Sequence, residues 1–162
     1  MLLIRSVFNR CGTTKLKDNA HMANMIAILD DEHDRIAAMM PLLQRLFPGR
    51  TLKTFDNAPD MIVWLRDHLV ECILLCLDHD LGPNRTRSGS VFDPGSGRDV
   101  ADFIATSPPV CPVIIHTTNS MAAPGMEMVL SDAGWSCSRV VPYGHIDWIG
   151  ESWIEEVQRL LG

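Results

Sequence analysis

Three apolar runs that stop abruptly at polar residues constrain this chain most. Met25-Ile-Ala-Ile-Leu29 ends in Asp30-Asp31, Cys72-Ile-Leu-Leu-Cys-Leu77 ends in Asp78-His79-Asp80, and Pro112-Val-Ile-Ile ends in His116-Thr117. A short unbroken apolar run, without polar alternation, is the pattern of a strand covered on both faces. Such strands need a layer on either side of one sheet, and the intervening segments supply it. Over 31–47 helical spacing aligns Ile36, Met39, Met40, Leu43 and Phe47, with Pro41 expected to kink the helix and Pro48-Gly49 to end it. Thr51-Leu-Lys-Thr-Phe55 reads as a further strand, and 59–69 as a helix carrying Met61, Ile62, Leu65 and Leu69 on one side. Helices are expected over 98–106, over 126–133 with Gly134 as its stop, and over 147–161; 138–141 is the last strand. Five strands alternating with five helices imply an α/β fold, a doubly wound five-stranded parallel sheet with helices on both faces.

In open sheets of this kind ligands bind beyond the carboxyl ends of the strands. All three polar clusters fall there. Fourteen of the twenty acidic residues are Asp, and four of these stand at Asp30, Asp31, Asp78 and Asp80. The net charge of −6 argues against broad attraction to duplex nucleic acid or to anionic membrane surfaces. No apolar run approaches the roughly 20 residues that cross a bilayer. The five cysteines, Cys11, Cys72, Cys76, Cys111 and Cys137, form no CxxC pair and lie mostly in apolar stretches. Reduced core thiols in a cytoplasmic protein are therefore expected, not a disulfide framework or a zinc site. Residues 1–24 carry Arg5, Arg10, Lys15 and Lys17 against Asp18 and hold no period; they read as a poorly ordered or peripheral extension, with some resemblance to a transit peptide.

Crowded carboxylates repel one another unless a cation or protons neutralise them, and oxygen ligands suit hard divalent ions. Asp30, Asp31 and Asp78 are the candidate metal ligands, with Mg²⁺ or Mn²⁺ as the expected cofactor. A single such Asp would be read as a solvated loop residue or a helix-dipole partner; three strand ends together favour the site. His79 and His116 are the candidate general acid and base, and Asp80 is grouped with them. His33 and His145 carry weaker signals, in a helix and an exposed loop. The 82–97 segment is the one long loop, rich in Gly, Ser, Pro and Arg, and Arg85, Arg87 and Arg98 bracket Gly95-Ser96-Gly97. Amides at a helix N-terminus and an arginine fork bind phosphate, so Gly97 and Arg98 are candidate phosphate ligands; the plainer reading makes Ser96 or Asp99 a helix cap. Trp64, Trp148 and Trp153 fit core or interface positions at helical spacing, and use of tryptophan for base stacking is the lesser reading.

The acid pair Asp30-Asp31 after the first strand, Asp78 after the third and Thr117 after the fourth resemble a two-component receiver domain over residues 25–161. The resemblance implies a flavodoxin-like sheet of strand order 2-1-3-4-5, a divalent metal on the three acids and phosphoryl transfer to Asp78. One feature departs from it. The last strand, Val140-Val-Pro-Tyr-Gly144, lacks the lysine of receivers, and no lysine follows Lys53. Leu77-Asp-His-Asp-Leu-Gly82, Gly95-Ser-Gly-Arg-Asp-Val100 and His116-Thr-Thr-Asn119, with Ala123-Pro-Gly-Met126 and Ala133-Gly-Trp135, are similar to the cyclic-phosphate-processing receiver family. That resemblance implies metal-dependent hydrolysis of a cyclic phosphate or related phosphoester, on a nucleotide or RNA end, by a receiver-like domain spanning 25–162. In that reading Arg98, Thr117 and Asn119 hold the phosphate, while His79 and His116 share acid and base duty. The alternatives are a signalling module phosphorylated on Asp78 and a binding module without catalysis.

Overall fold

The computed structural model describes residues 23–85 and 89–162, with the side chains of Asn84 and Arg85 outside the description. Five strands, β1 (Met25–Leu29), β2 (Thr51–Phe55), β3 (Cys72–Leu77), β4 (Val113–His116) and β5 (Cys137–Val140), form one parallel sheet in the order β2-β1-β3-β4-β5. The helices are α1 (His33–Leu46), α2 (Ala58–His68), α3 (Gly97–Ile104), α4 (Ala123–Asp132) and α5 (Ile154–Leu161). The anticipated extension lies almost wholly outside the described residues. Its last residue, Asn24, belongs to the fold: its amide donates to Glu71 O at 2.8 Å and its carbonyl accepts from Thr51 N at 3.0 Å.

Strand alternation sorts the core into two layers. Ala27, Leu29, Leu75, Leu77, Val113 and Ile115 pack with Met61 and Leu65 of α2, Val100 and Ile104 of α3, and Met126 and Leu130 of α4. Ile26, Ile28, Leu74, Cys76 and Ile114 pack on the other face with Met39 and Leu43 of α1, Val157 of α5 and the tryptophans Trp148 and Trp153. Both faces of the three central strands are thus dry, which is what their unbroken apolar runs require.

Local chemistry sets the helix ends. The Asn57 side chain caps α2, accepting from Asp60 N at 2.8 Å, and Pro59 sits in the first turn. Ser96 and Asp99 form the capping box of α3. Two helices differ from expectation. α4 begins three residues early, because Asn119 Oδ1 accepts from Met121 N at 3.2 Å and Ala122 N at 3.0 Å and starts the turn there. The closing helix runs over 147–161 as expected, but its winding changes within it: a π-helical turn, Ile149–Trp153, precedes α5. Its wider i→i+5 winding turns Trp148 and Trp153, five residues apart, onto the same buried side. α1 runs on through Pro41, an exposed position.

Candidate metal and phosphate site

Register places the polar residues before any side chain is considered. Leu29 pairs with Leu77, and Leu77 with Ile115, so the next residues along the three strands, Asp30, Asp78 and His116, form one row across the sheet. The ladder continues into the row: Asp30 N donates to Phe55 O at 3.0 Å and Asp78 N to Leu29 O at 2.9 Å. The acids are therefore held on rigid backbone. By alternation all three side chains lie on the α1/α5 face, and each is 4% exposed or less.

The carboxylates of Asp30, Asp31 and Asp78 come within 4.8 Å of one another. Asp30 Oδ1 accepts from Glu32 N at 2.8 Å, and Asp31 Oδ2 from Gly82 N at 2.7 Å. A Cβ on Gly82 would stand 2.8 Å from Asp31 Oδ2, so a larger residue there would make this carboxylate shift. Arg35, one turn into α1, is the residue the sequence reading missed. Its Nη1 lies 2.9 Å from Asp78 Oδ2 and 3.7 Å from Asp30 Oδ2. Arg35 stands three residues into a helix that follows the acid pair, a position at which a cation is reachable from both acids. Partial neutralisation is the result. Burial pushes the Asp78 pKa up to about 6, with His116 and Arg35 pulling it down and Asp30 pushing it further up.

His116 is fully buried and points at Asp30, with Nε2 at 3.2 Å from Oδ2. Its ring stacks on Trp148 at 5.8 Å between centroids, and its Nδ1 has no hydrogen-bond partner among the described residues. His116 is thus gathered into the site but closed off from solvent. His79 and Asp80 form a second pair: His79 Nδ1 lies 2.8 Å from Asp80 Oδ1, which also accepts from Asn119 Nδ2 at 3.0 Å. Some burial opposes ionisation of Asp80, but the hydrogen bonds from His79 and Asn119 outweigh it and hold the pKa below the ordinary value. Thr117 is buried, its Oγ1 accepting from Asn119 N at 3.1 Å; its neighbour Thr118 is the exposed one. A cleft of about 330 Å³ is lined by Glu32, Arg35, Asp78, Asp80, Gly82 and Thr118, with Asp31 and Leu81 completing it.

Other phosphate candidates are engaged elsewhere. Gly97 N donates to His79 O at 3.1 Å, and a Cβ there would fall 2.0 Å from the Asp78 carbonyl oxygen. The glycine lets α3 pack directly against the end of β3. Arg98 Nε donates to Asp102 Oδ1 at 2.7 Å, and its Nη1 lies where a side chain on Gly125 of α4 would be. Arg98 therefore bridges α3 and α4 and does not join the acid row. Arg87, and the side chain of Arg85, lie outside the described residues. The loop is nonetheless closed at its base by a bridge between Asp80 and Ser96, and carries a ribbon pairing Asn84–Arg85 with Val91–Phe92. Cys72 and Cys76 are buried free thiols, and burial pushes Cys72 up to about 12, as expected of inert core cysteines. No helix among the described residues is long and apolar enough to cross a membrane.

A parallel 2-1-3-4-5 sheet with an acid pair after β1 and a third acid after β3 defines a receiver-type domain. Solved structures agree on the fold. The phosphorylated cyanobacterial phytochrome response regulator RcpA is 15% identical over 86% of this chain and 94% of its own, with a TM-score of 0.66. The Mn²⁺-bound form of response regulator Rcp1 is 15% identical over 85% of this chain and 95% of its own, with a TM-score of 0.60. A receiver domain from Rhodospirillum rubrum is 13% identical over 85% of this chain and 95% of its own, also with a TM-score of 0.60. No curated protein matches the sequence significantly. Residues 25–132 match the cyclic-phosphate processing receiver domain, and the chain belongs to that family.

Proposed function

We propose that this domain hydrolyses a cyclic phosphate, or a related phosphoester, on a nucleotide or RNA end, with the help of a divalent metal ion. The observation that carries the reading is the cluster of Asp30, Asp31 and Asp78, of which Asp31 and Asp78 open onto a cleft that Arg35 also lines. The donor set fits the ion. Three carboxylates within 4.8 Å form an all-oxygen group, and burial, with Asp30 adding to it, pushes the Asp78 pKa up to about 6, a cost that a bound cation would offset. Asp30, Asp31 and Asp78 would hold Mg²⁺ or Mn²⁺, which when bound supplies Lewis-acid polarisation of a phosphoryl oxygen. Membership of a family described as processing cyclic phosphates supports the substrate class, and the Mn²⁺-bound form of Rcp1 supports the metal.

The reaction adds water across one P–O bond of the ring; the water oxygen joins phosphorus and a proton goes to the released sugar oxygen. Charge develops on the phosphoryl oxygens, and Arg35 faces the cleft as a guanidinium able to meet it. The His79–Asp80 pair supplies a proton-transfer group beside the cleft, with Asn119 fixing the Asp80 carboxylate. His116, fully buried, acts through Asp30 as a positioning residue. Thr118 offers a hydroxyl at the cleft wall. The test is ³¹P NMR of adenosine 2′,3′-cyclic phosphate incubated with the purified protein and Mg²⁺ or Mn²⁺. Conversion to a monoester that is lost in Asp78→Asn and reduced at least tenfold in His79→Ala is expected. A cyclic signal unchanged in both metals overturns the reading.

A second reading rests on the fold and on the phosphorylated state of RcpA. Asp78 would then accept a phosphoryl group from acetyl phosphate, giving an acid-labile adduct absent in Asp78→Asn. The end of β5 bears no lysine to pair with such an adduct, which favours hydrolysis over switching.

A further inference from the structure

Next to the acid row lies a larger cleft that the proposed chemistry does not use. It measures about 600 Å³, and its lining includes Asp30, Asp31, Lys53, Phe55, Asp60 and Trp64. That volume falls within the range of small-molecule sites, roughly 300–1,000 Å³. Sharing Asp30 and Asp31 makes it continuous with the candidate metal centre. Two of its lining residues form an aromatic pair: the Phe55 and Trp64 rings stand 5.3 Å apart, tilted by 50°, and Trp64 stacks on His68 at 4.7 Å. Trp135, Trp148 and Trp153 are 3% exposed or less, whereas Trp64 is only half-buried. Lys53 makes no ion pair among the described residues, and its ammonium lies 5.4 Å from the centre of the Phe55 ring.

The geometry points to a nucleobase subsite: a base stacked against the Phe55–Trp64 wall, on a nucleotide whose phosphate reaches the Asp30–Asp31–Asp78 centre. This rests on the proposed function for the phosphate end and deepens it, because it makes the substrate a nucleotide or a nucleotide-terminated chain and excludes a base-free phosphoester as the preferred ligand. Aromatic faces bind bases of any sequence through stacking, which contributes enough that truncation to alanine costs about fivefold to a hundredfold in affinity. Thr54, Asp56 and Asp60 give the wall a polar rim at which ring amino groups and sugar hydroxyls find acceptors.

Three of the four tryptophans being buried makes the experiment direct. Titration of the full chain with adenosine 3′-monophosphate in Mg²⁺ should quench tryptophan fluorescence saturably. Calorimetry should show affinity about tenfold weaker in Trp64→Ala and within about twofold of wild type in Trp64→Phe. Ribose 5-phosphate should leave the fluorescence unchanged and bind wild type and Trp64→Ala alike. Absence of quenching in the wild-type protein overturns the subsite, and needs no variant to fold; so does equal nucleotide affinity in wild type and Trp64→Ala. The two proposals fail separately. Trp64-dependent binding without hydrolysis of the cyclic substrate overturns the proposed activity and leaves the subsite. Hydrolysis of cyclic phosphates at the same efficiency with and without a base overturns the subsite and leaves the activity.

Discussion

Asp78 carries a stability cost at the same atoms that the proposed metal site would use. Its folded-state pKa of about 6 lies above the ordinary 3.8, so between those values the folded protein holds a proton that the unfolded chain has released. Metal-free protein should therefore lose stability as pH rises through about 4 to 6, by about 3 kcal/mol when the loss is complete. Asp78→Asn removes the charge while keeping the shape, and Arg35 retains Asp30 as a partner. Urea unfolding in EDTA should show the variant about 1–3 kcal/mol more stable than wild type at pH 7.5 and nearly equal at pH 4; a less stable variant at pH 7.5 would contradict the account. Arg35 is the complementary case. Arg35→Met strips the acids of the guanidinium that, among the described residues, pairs with them, and should cost metal-free protein about 2 kcal/mol. The same substitution should enlarge the rise in melting temperature produced by Mn²⁺, because the ion no longer shares its ligands with the arginine.

Among the elements, α3 and the end of β3 meet at a contact that only glycine permits. Gly97 lies so close to the Asp78 carbonyl that an added methyl would overlap it at 2.0 Å, and backbone on both sides leaves no flexible group to yield. Gly97→Ala should destabilise the protein by about 3 kcal/mol, lowering the melting temperature by roughly 6–12 °C in a thermal melt. The contact also explains how a long loop sits inside a compact sheet. Gly97 N on His79 O and the Asp80–Ser96 bridge tie both ends of the loop together beside the site, and Ala58 N of α2 donates to Pro94 O at 2.8 Å. The π-helical turn before α5 has an equivalent local purpose: it brings Trp148 beneath His116, and the stacked ring fixes the histidine that faces Asp30.

For the whole molecule, the proposed cation on the acid row would couple its binding to folding. A cation that binds only the folded state adds about 2.7 kcal/mol at a hundred times its dissociation constant. Mg²⁺ or Mn²⁺ should therefore raise the melting temperature at pH 7.5, and do so much less at pH 5, where Asp78 is mostly protonated; identical melts with and without metal at pH 7.5 count against the ligand set. Strand identity and sheet class were readable from Met25–Leu29, Cys72–Leu77 and Val113–His116, because burial on both faces writes an unbroken apolar run into the chain. The acids at Asp30, Asp31 and Asp78 were readable for the same reason, since a buried strand that stops at a carboxylate marks the sheet edge where ligands bind. Partner choice was not readable. Arg35 and Arg98 carry the same group and each sits in the first turn of a helix, yet Arg98 pairs with Asp102 one turn along its own helix, whereas Arg35 meets Asp78, 43 residues away, because the end of β3 lies beside α1. Trp64 likewise repeats the helical spacing of a core residue, and only the position of α2 beside β2 leaves it lining a cleft. Sequence alone determined the layers, the strand ends and the candidate metal ligands, because these follow from periodicity along the chain. The tertiary structure decided which charges neutralise one another, which histidine is sealed and which aromatic remains open, because those depend on distances between segments far apart in sequence.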